Sequence, residues 1–338
     1  MPADNPLLQV EKLRVYFDTP EGESRAVDDV SFRIMPGQTV GMVGESGCGK
    51  SVTSLAILGL INEPPGRIVG GRIMFRGADL RQLSEAELRR IRGDRISMIF
   101  QEPMSSLNPV MTVGAQVAEV FGLHRGMNRR EAWGEAARML ELVRIPNAAA
   151  RRRDYPHQLS GGMRQRVMIA MALAGEPDLL IADEPTTALD ITIQAQILEL
   201  MDQLKEQFRS SVLLITHDLG VIAETCDYVC VMYAGRIIER GLVGEIFANP
   251  SHPYTVGLLE SIPRLEEIQA GRRLASIKHN VPPATRYPTG CRFHPRCSLA
   301  TEECAAAVPP MQRIGDTQRS ACIHVDQLAA ARQTGPRA

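Results

Sequence analysis

The chain has 338 residues, with 38 Lys and Arg against 39 Asp and Glu, for a formal net charge of -1. Such a balance argues against general nucleic-acid binding, which needs a basic surface, while the length allows one large or two ordinary domains. Met1 to Pro6 lacks a charged-then-apolar leader pattern, and no apolar run approaches the roughly 18 residues that span a bilayer. The expectation is a cytoplasmic protein that serves any membrane process through partners.

Leu8 to Ile34 alternates apolar and polar residues, as antiparallel strands do, with a turn at Pro20-Glu21-Gly22. Tyr16 and Phe17 lie here; aromatics in strands usually fill cores, and either ring could instead stack on a base. A short apolar strand, Thr39 to Val43, then runs into Gly44-Glu45-Ser46-Gly47-Cys48-Gly49-Lys50-Ser51, which matches G-x-x-x-x-G-K-[ST] at every fixed position. Glycines let this loop turn its N–H groups towards phosphates, at the start of a helix continuing through Val52 to Leu60. Lys50 adds a mobile charge and Ser51 a hydroxyl for Mg²⁺.

Gly70 to Gly77 reads as a hairpin strand, Ser84 to Glu87 as a capping-box helix start, and Arg95 to Phe100 as a strand ending on Gln101 before the breaker Pro103. From Thr112 to about Val143 the apolar spacing is helical, giving an α-helical insert. Leu159-Ser160-Gly161-Gly162-Met163 is a second Gly-rich turn opening a helix, a weak anion signal by itself. Leu179 to Ala182 is continuously apolar, as a buried parallel strand is, and ends in Asp183-Glu184. Acids at such a strand end stand where open α/β sheets hold ligands, so Asp183 is a candidate for the Mg²⁺ shell and Glu184 for polarising a water.

After Ala188-Leu189-Asp190 comes an amphipathic helix, then the strand Val212 to Ile215, ending in Thr216-His217-Asp218. His217 could donate to a γ-phosphate or simply end the strand. Tyr228 to Tyr233 and Arg236 to Arg240 form a hairpin expected to close the sheet. Beyond Asn249 the composition shifts to Pro, Arg and Cys, and four of the seven cysteines, Cys291, Cys297, Cys304 and Cys322, cluster there. Four thiolates suit zinc or an iron–sulfur cluster; the lack of a C-x2-C pair counts against a zinc ribbon, and a loop-rich tail of unliganded thiols is the plain alternative.

Taken together, these motifs resemble the nucleotide-binding subunit of ATP-binding-cassette (ABC) transporters over about residues 8 to 250. The resemblance makes Gly44 to Ser51 the Walker A loop, Gln101 the Q-loop, Leu159 to Met163 the signature motif, and Leu179 to Glu184 the Walker B strand with its catalytic glutamate. Asp190 becomes the D-loop acid, His217 the switch histidine and Phe17 the adenine-stacking ring. It implies an α/β P-loop NTPase fold, with a RecA-like core, an antiparallel β subdomain and an α-helical subdomain at about 102–165 inside a cassette spanning 1–250. ATP would lie on Gly44 to Val52, with Lys50, Gln101, Glu184 and His217 acting in hydrolysis and Ser51, Gln101 and Asp183 around Mg²⁺. Ser160, Gly161 and Gly162 would meet nucleotide too. Met163 stands where the family's signature usually has Gln, which removes one side-chain contact and leaves the Ser160 hydroxyl and glycine amides.

Residues 251–338, through Ser251 to Thr255 and the Gly290-to-Cys297 segment, resemble the small Cys-rich C-terminal extension of dipeptide/oligopeptide and nickel importer ATPases. In that subfamily the four cysteines are implied to hold a [4Fe-4S] cluster, with zinc as the alternative. The implied partners are a second ABC ATPase subunit, as a heterodimer, two membrane permeases and an extracytoplasmic solute-binding protein, with this chain on the cytoplasmic face of the inner membrane. The implied work is peptide uptake driven by ATP hydrolysis; import of nickel or another solute, or a soluble ABC ATPase acting on nucleic acid or ribosomes, are the alternatives. Cys48, inside the phosphate loop, is an expected point of attack for bulky thiol reagents.

Overall fold

A computed structural model describes residues 5–102, 106–187, 189–262, 277 and 279–328. Met1 to Asp4, Pro103, Ala188 and the stretches 263–276, 278 and 329–338 of the expected extension lie outside the described residues. In chain order come β1 (Leu8–Thr19), β2 (Gly22–Ile34), β3 (Thr39–Val43), α1 (Lys50–Ile57), β4 (Gly66–Phe75), β5 (Ala78–Asp79), α2 (Glu85–Ile91) and β6 (Ile96–Ile99). Then follow α3 (Val113–Arg125), α4 (Arg129–Leu142), α5 (Ala148–Arg151), α6 (Gly161–Leu173), β7 (Leu179–Asp183), α7 (Ile191–Phe208), β8 (Ser211–Thr216) and α8 (Leu219–Thr225). The described chain is completed by β9 (Tyr228–Tyr233), β10 (Arg236–Leu242), α9 (Val243–Ala248), α10 (Pro253–Glu260), α11 (Glu302–Ala306), β11 (Gln312–Arg313) and β12 (Arg319–Ser320).

Two compact units divide this chain, the first comprising residues 1–7, 34–39 and 79–215. Its strands β6, β7 and β8 are parallel, with Ile96 opposite Leu179 and Leu179 opposite Ser211. Every residue of β7 and β8 is buried, which is why their sequences run apolar without alternation. The helical stretch expected from Thr112 to Val143 is two helices. Gly126 ends α3 at φ +65°, and Asn128 starts α4 with a capping box shared with Glu131. Val117, Ala136 and Leu140 are fully buried, and each large aliphatic among them stabilises the helical region by roughly 1.5–3 kcal/mol.

The second unit comprises residues 8–33, 40–78 and 216–338. One of its sheets runs β2-β1-β4-β5, with β1 antiparallel to β4. In the other, β3 is parallel to β9, while β9, β10, β12 and β11 follow antiparallel to one another. The hairpin β9–β10 therefore does not close the sheet; β12 pairs with β10 through Glu239 opposite Ser320. Beside this pairing lies a fully buried carboxylate. Glu239 accepts the N–H groups of Ser251 at 2.5 Å and His252 at 3.0 Å and the amide of Gln318 at 2.8 Å. Burial pushes the Glu239 carboxyl up and pulls the His252 imidazole down to about 3, so His252 is neutral and its Nδ1 accepts from the Tyr254 N–H at 3.1 Å.

Candidate functional site

In the second unit, the buried strand β3 delivers the chain to Gly44, and α1 begins at Lys50. Two glycines make that passage possible. Gly44 has φ +154° and Gly49 φ +105°, and a Cβ would lie 2.0 Å from the Met232 carbonyl oxygen at the first and 2.3 Å from that of Ala26 at the second. The loop is braced by the Gly235 N–H donating to the Cys48 carbonyl at 2.9 Å. The Lys50 ammonium, only 5% exposed, donates to the carbonyls of Gly44 at 2.8 Å and Glu45 at 3.2 Å. It is thus curled over the cradle that a phosphate would fill. Ser46 and Gly47 are exposed, and Ser51 and Val52 half-buried, at the N-terminus of α1. The geometry suits an anion held by backbone N–H groups and Lys50.

Of the two aromatics on β1, Tyr16 is committed: its hydroxyl donates to Asp28 at 2.9 Å. Phe17 is half-buried with its ring against Gly66, where an added Cβ would come within 2.7 Å of it. His217 is exposed, immediately before Asp218, which caps α8 by accepting from the N–H groups of Gly220 and Val221. Cys48 is fully buried and burial pushes its thiol up, so the expected attack by bulky thiol reagents is disfavoured on both access and ionisation.

The first unit gathers a different set. Gln101 donates its side-chain amide to Glu184 Oε2 at 2.9 Å, and the Thr187 hydroxyl donates to the same oxygen at 2.9 Å. Glu184 adopts φ +48°, a left-handed conformation, just past β7, with its N–H on the Ile215 carbonyl at 2.8 Å. Strained backbone at the end of a buried strand, carrying a carboxylate fixed by two donors, suits a group that orients a water. Asp183 beside it is 4% exposed. Ser160 caps α6, its hydroxyl accepting from the Met163 N–H at 3.4 Å, and Asp190 caps α7 by accepting from Ile193 at 2.9 Å.

The four tail cysteines fall in the second unit, half-buried at Cys291 and Cys297 and buried at Cys304 and Cys322. Burial raises the thiols of Cys291, Cys297 and Cys322, the last to about 11, and charge on neighbouring cysteines of the set adds to this. Backbone N–H groups point at sulfur, from Leu299 to Cys297 at 3.4 Å and from His324 to Cys322 at 3.3 Å. Cys304 Sγ lies 3.4 Å from His324 Nε2. This donor chemistry fits a thiolate-bound group, although among the described residues no three His, Cys, Asp or Glu side chains converge as a metal-holding group. No helix among the described residues is long and apolar enough to cross a membrane.

A phosphate loop on β3, a carboxylate pair closing β7 and a capped Gly-rich helix start at α6 define an ATP-binding-cassette ATPase. Residues 27–187 match the family described as ABC transporter, and residues 238–304 the oligopeptide/dipeptide transporter C-terminal region. The chain belongs to the family of ATP-binding proteins of oligopeptide/dipeptide ABC transporters. It is 52% identical to a peptide import ATP-binding protein of Brucella abortus over 96% of this chain and 99% of that relative. It is 51% identical to the oligopeptide transport ATP-binding protein OppD of Salmonella typhimurium over 94% of both chains. Among solved structures, the dimeric cassette MJ0796 bound to ADP and phosphate superposes with a TM-score of 0.63 at 28% identity, covering 70% of this chain and 98% of that one. The cassette cbiO1 of Clostridium perfringens gives 0.61 at 27% identity, with 79% and 98% covered.

Sequence reasoning did not find the side chains from the tail that grip the phosphate loop and its surroundings. Arg296 holds Glu45, and Arg292 joins Arg236 of β10 in holding Asp28. Arg292 and Arg296 stand inside the Cys291-to-Cys297 segment, where two arginines flank Phe293 and His294; that was the available signal.

Proposed function

We propose that this chain hydrolyses ATP to power the uptake of oligopeptides across a cytoplasmic membrane, as one ATPase subunit of an importer. The observation that carries the reading is the presence, in one chain, of an intact hydrolytic set and the oligopeptide-type C-terminal region. The cassette extends to about residue 250, with its helical part near 102–165, and the extension begins at about 251. In one unit, Lys50 and the loop N–H groups from Gly44 to Val52 neutralise and hold the nucleotide phosphates, and Phe17 offers its ring to the base. In the other, Glu184 orients or deprotonates the attacking water, and its tie to Gln101 lets the helical insert respond to the nucleotide. Mg²⁺ would neutralise charge developing on the phosphates, and Ser51 in the one unit and Gln101 and Asp183 in the other each carry an oxygen suited to it. His217 fixes the γ-phosphate by donating a hydrogen bond.

Ser160, Gly161 and Gly162 present a helix N-terminus to a nucleotide held by a second ATPase subunit; as in the importer subfamily that the chain resembles, that subunit is a different chain, and two permeases and an extracytoplasmic solute-binding protein complete the assembly at the cytoplasmic face. The four cysteines hold a [4Fe-4S] cluster. Supporting this are the backbone N–H groups of Leu299 and His324, aimed at the sulfurs of Cys297 and Cys322, which favour thiolate over thiol there.

The test is to isolate the chain from detergent-solubilised membranes, identify its companions, and measure which solutes accelerate ATP hydrolysis by the recovered complex. Stimulation by oligopeptides through a co-purifying permease supports the reading. Recovery without any membrane protein, or stimulation by nickel alone, overturns it. Anaerobic purification should give a brown protein containing iron and acid-labile sulfide; stoichiometric zinc without iron would defeat the cluster.

A further inference from the structure

The phosphate loop carries a carboxylate at its second position, Glu45, and the tail answers it. The Arg296 side chain is only 3% exposed, and its guanidinium spans both Glu45 oxygens at 2.7 and 3.0 Å. A third donation, at 3.3 Å, reaches the Tyr233 hydroxyl, and the guanidinium lies 5.6 Å from the Tyr233 ring centre and 5.9 Å from that of Phe293. Tyr254, at the start of α10, takes the Glu45 backbone: its hydroxyl accepts the N–H at 2.9 Å. Tyr233, Tyr254 and Phe293 pack ring against ring with centroids 4.7 to 5.4 Å apart, so the platform that aims Arg296 is rigid.

A carboxylate on a loop that must receive several phosphate charges opposes binding unless it is neutralised and turned away. Bidentate pairing by a buried Arg does both, and fixes the backbone on either side of Glu45. We propose that Arg296 is a positioning residue for nucleotide binding: through Glu45 it cancels the loop's own negative charge and holds the loop open for phosphates. The Arg296–Glu45 pair acts in this way whatever the four cysteines hold. It makes the C-terminal region a working part of the ATP site.

Full-length chain, in buffer containing Mg²⁺, is titrated with a fluorescent N-methylanthraniloyl ATP, comparing Arg296→Met, Arg296→Lys and the double variant Glu45→Gln/Arg296→Met. Arg296→Met is expected to weaken binding about tenfold, which corresponds to about 1.4 kcal/mol, and Arg296→Lys by less, because it keeps the charge and loses the fork. Removing the stranded carboxylate in the double variant should restore affinity to within about threefold of the starting protein, a coupling that loss of folding in the tail would not produce. In steady-state hydrolysis by the membrane complex, Arg296→Met should raise KM for ATP with kcat unchanged. Unaltered binding by Arg296→Met, or a double variant as weak as the single one, would overturn the proposal.

Discussion

Asp28 offers a quantitative test of how the tail is fastened to the strands of its unit. Its side chain is 8% exposed; Oδ2 takes Arg236 at 2.8 and 3.3 Å and also Arg292, and Oδ1 takes the Tyr16 hydroxyl at 2.9 Å. Replacing Asp28 by Asn keeps the shape and removes the charge. Arg292, with a side chain 7% exposed, is then left buried without a counter-ion, whereas Arg236, 26% exposed, can turn partly to water. Burial already draws the Arg292 guanidinium down to about 10. One stranded buried cation costs roughly 3–5 kcal/mol, and the lower end applies because Arg236 relaxes. At roughly 2 °C per kcal/mol for a chain of this size, Asp28→Asn should lower Tm by about 6 °C in scanning calorimetry of the full chain at pH 7.

The pH dependence has a definite sign. Burial works to raise the Asp28 carboxyl, and it is outweighed by the Arg236 hydrogen bonds and the charges of Arg292 and Arg236, so the group titrates below its ordinary 3.8. A depressed carboxylate contributes in full above its unfolded value and loses that contribution as pH falls through the folded one. The gap between wild type and Asp28→Asn should therefore be constant from pH 7 to 5 and shrink below about pH 4. A gap under about 1 kcal/mol at pH 7, or one that widens on acidification, would refute the reasoning.

Other expectations concern catalysis and the loop. Glu184→Gln should reduce ATP turnover at least about 100-fold while nucleotide binding persists; undiminished steady-state hydrolysis would remove Glu184 from its assigned role. Gly44→Ala should abolish nucleotide binding measured by fluorescence titration, because its methyl group meets the Met232 carbonyl at 2.0 Å. Cys48 should alkylate slowly with N-ethylmaleimide at pH 7.5, and its rate should keep climbing as pH rises past 9, since burial raises the thiol above its ordinary 9.0. Fast labelling at neutral pH, read by peptide mass, would contradict its burial.

Much of the nucleotide site is written in local sequence. The strand before Gly44 and the strand before Asp183 are buried on both faces, so each reads as an unbroken apolar run ending in chemistry. The Gly126-to-Asn128 break was also legible, since a helix-ending glycine followed by an Asn/Glu capping box is a local signal; the apolar spacing on both sides masked it. By contrast, β11 and β12 have two residues each, too few for any period to register. The Arg296–Glu45 pair joins positions 251 residues apart, and nothing local to Glu45 announces a partner. The Cys48 thiol was misjudged for the same reason: its place in the sequence marks it as part of the loop, while its inaccessibility comes from contacts made by the folded loop.

The buried Glu239 carboxylate also has a bearing on how the protein is made. The donors that satisfy it include the Gln318 side chain, and the neighbouring β10 edge is covered by β12, with Arg319 and Ser320. Until the ribosome has translated that far, β10 presents an open hydrogen-bonding edge and a carboxylate that lacks one of its partners. The nascent chain thus passes through an interval in which its cassette sequence is complete but its sheet is exposed to edge-to-edge association. Truncations that stop before Gln318 should prolong that interval indefinitely and accumulate in inclusion bodies, even though every nucleotide motif is present.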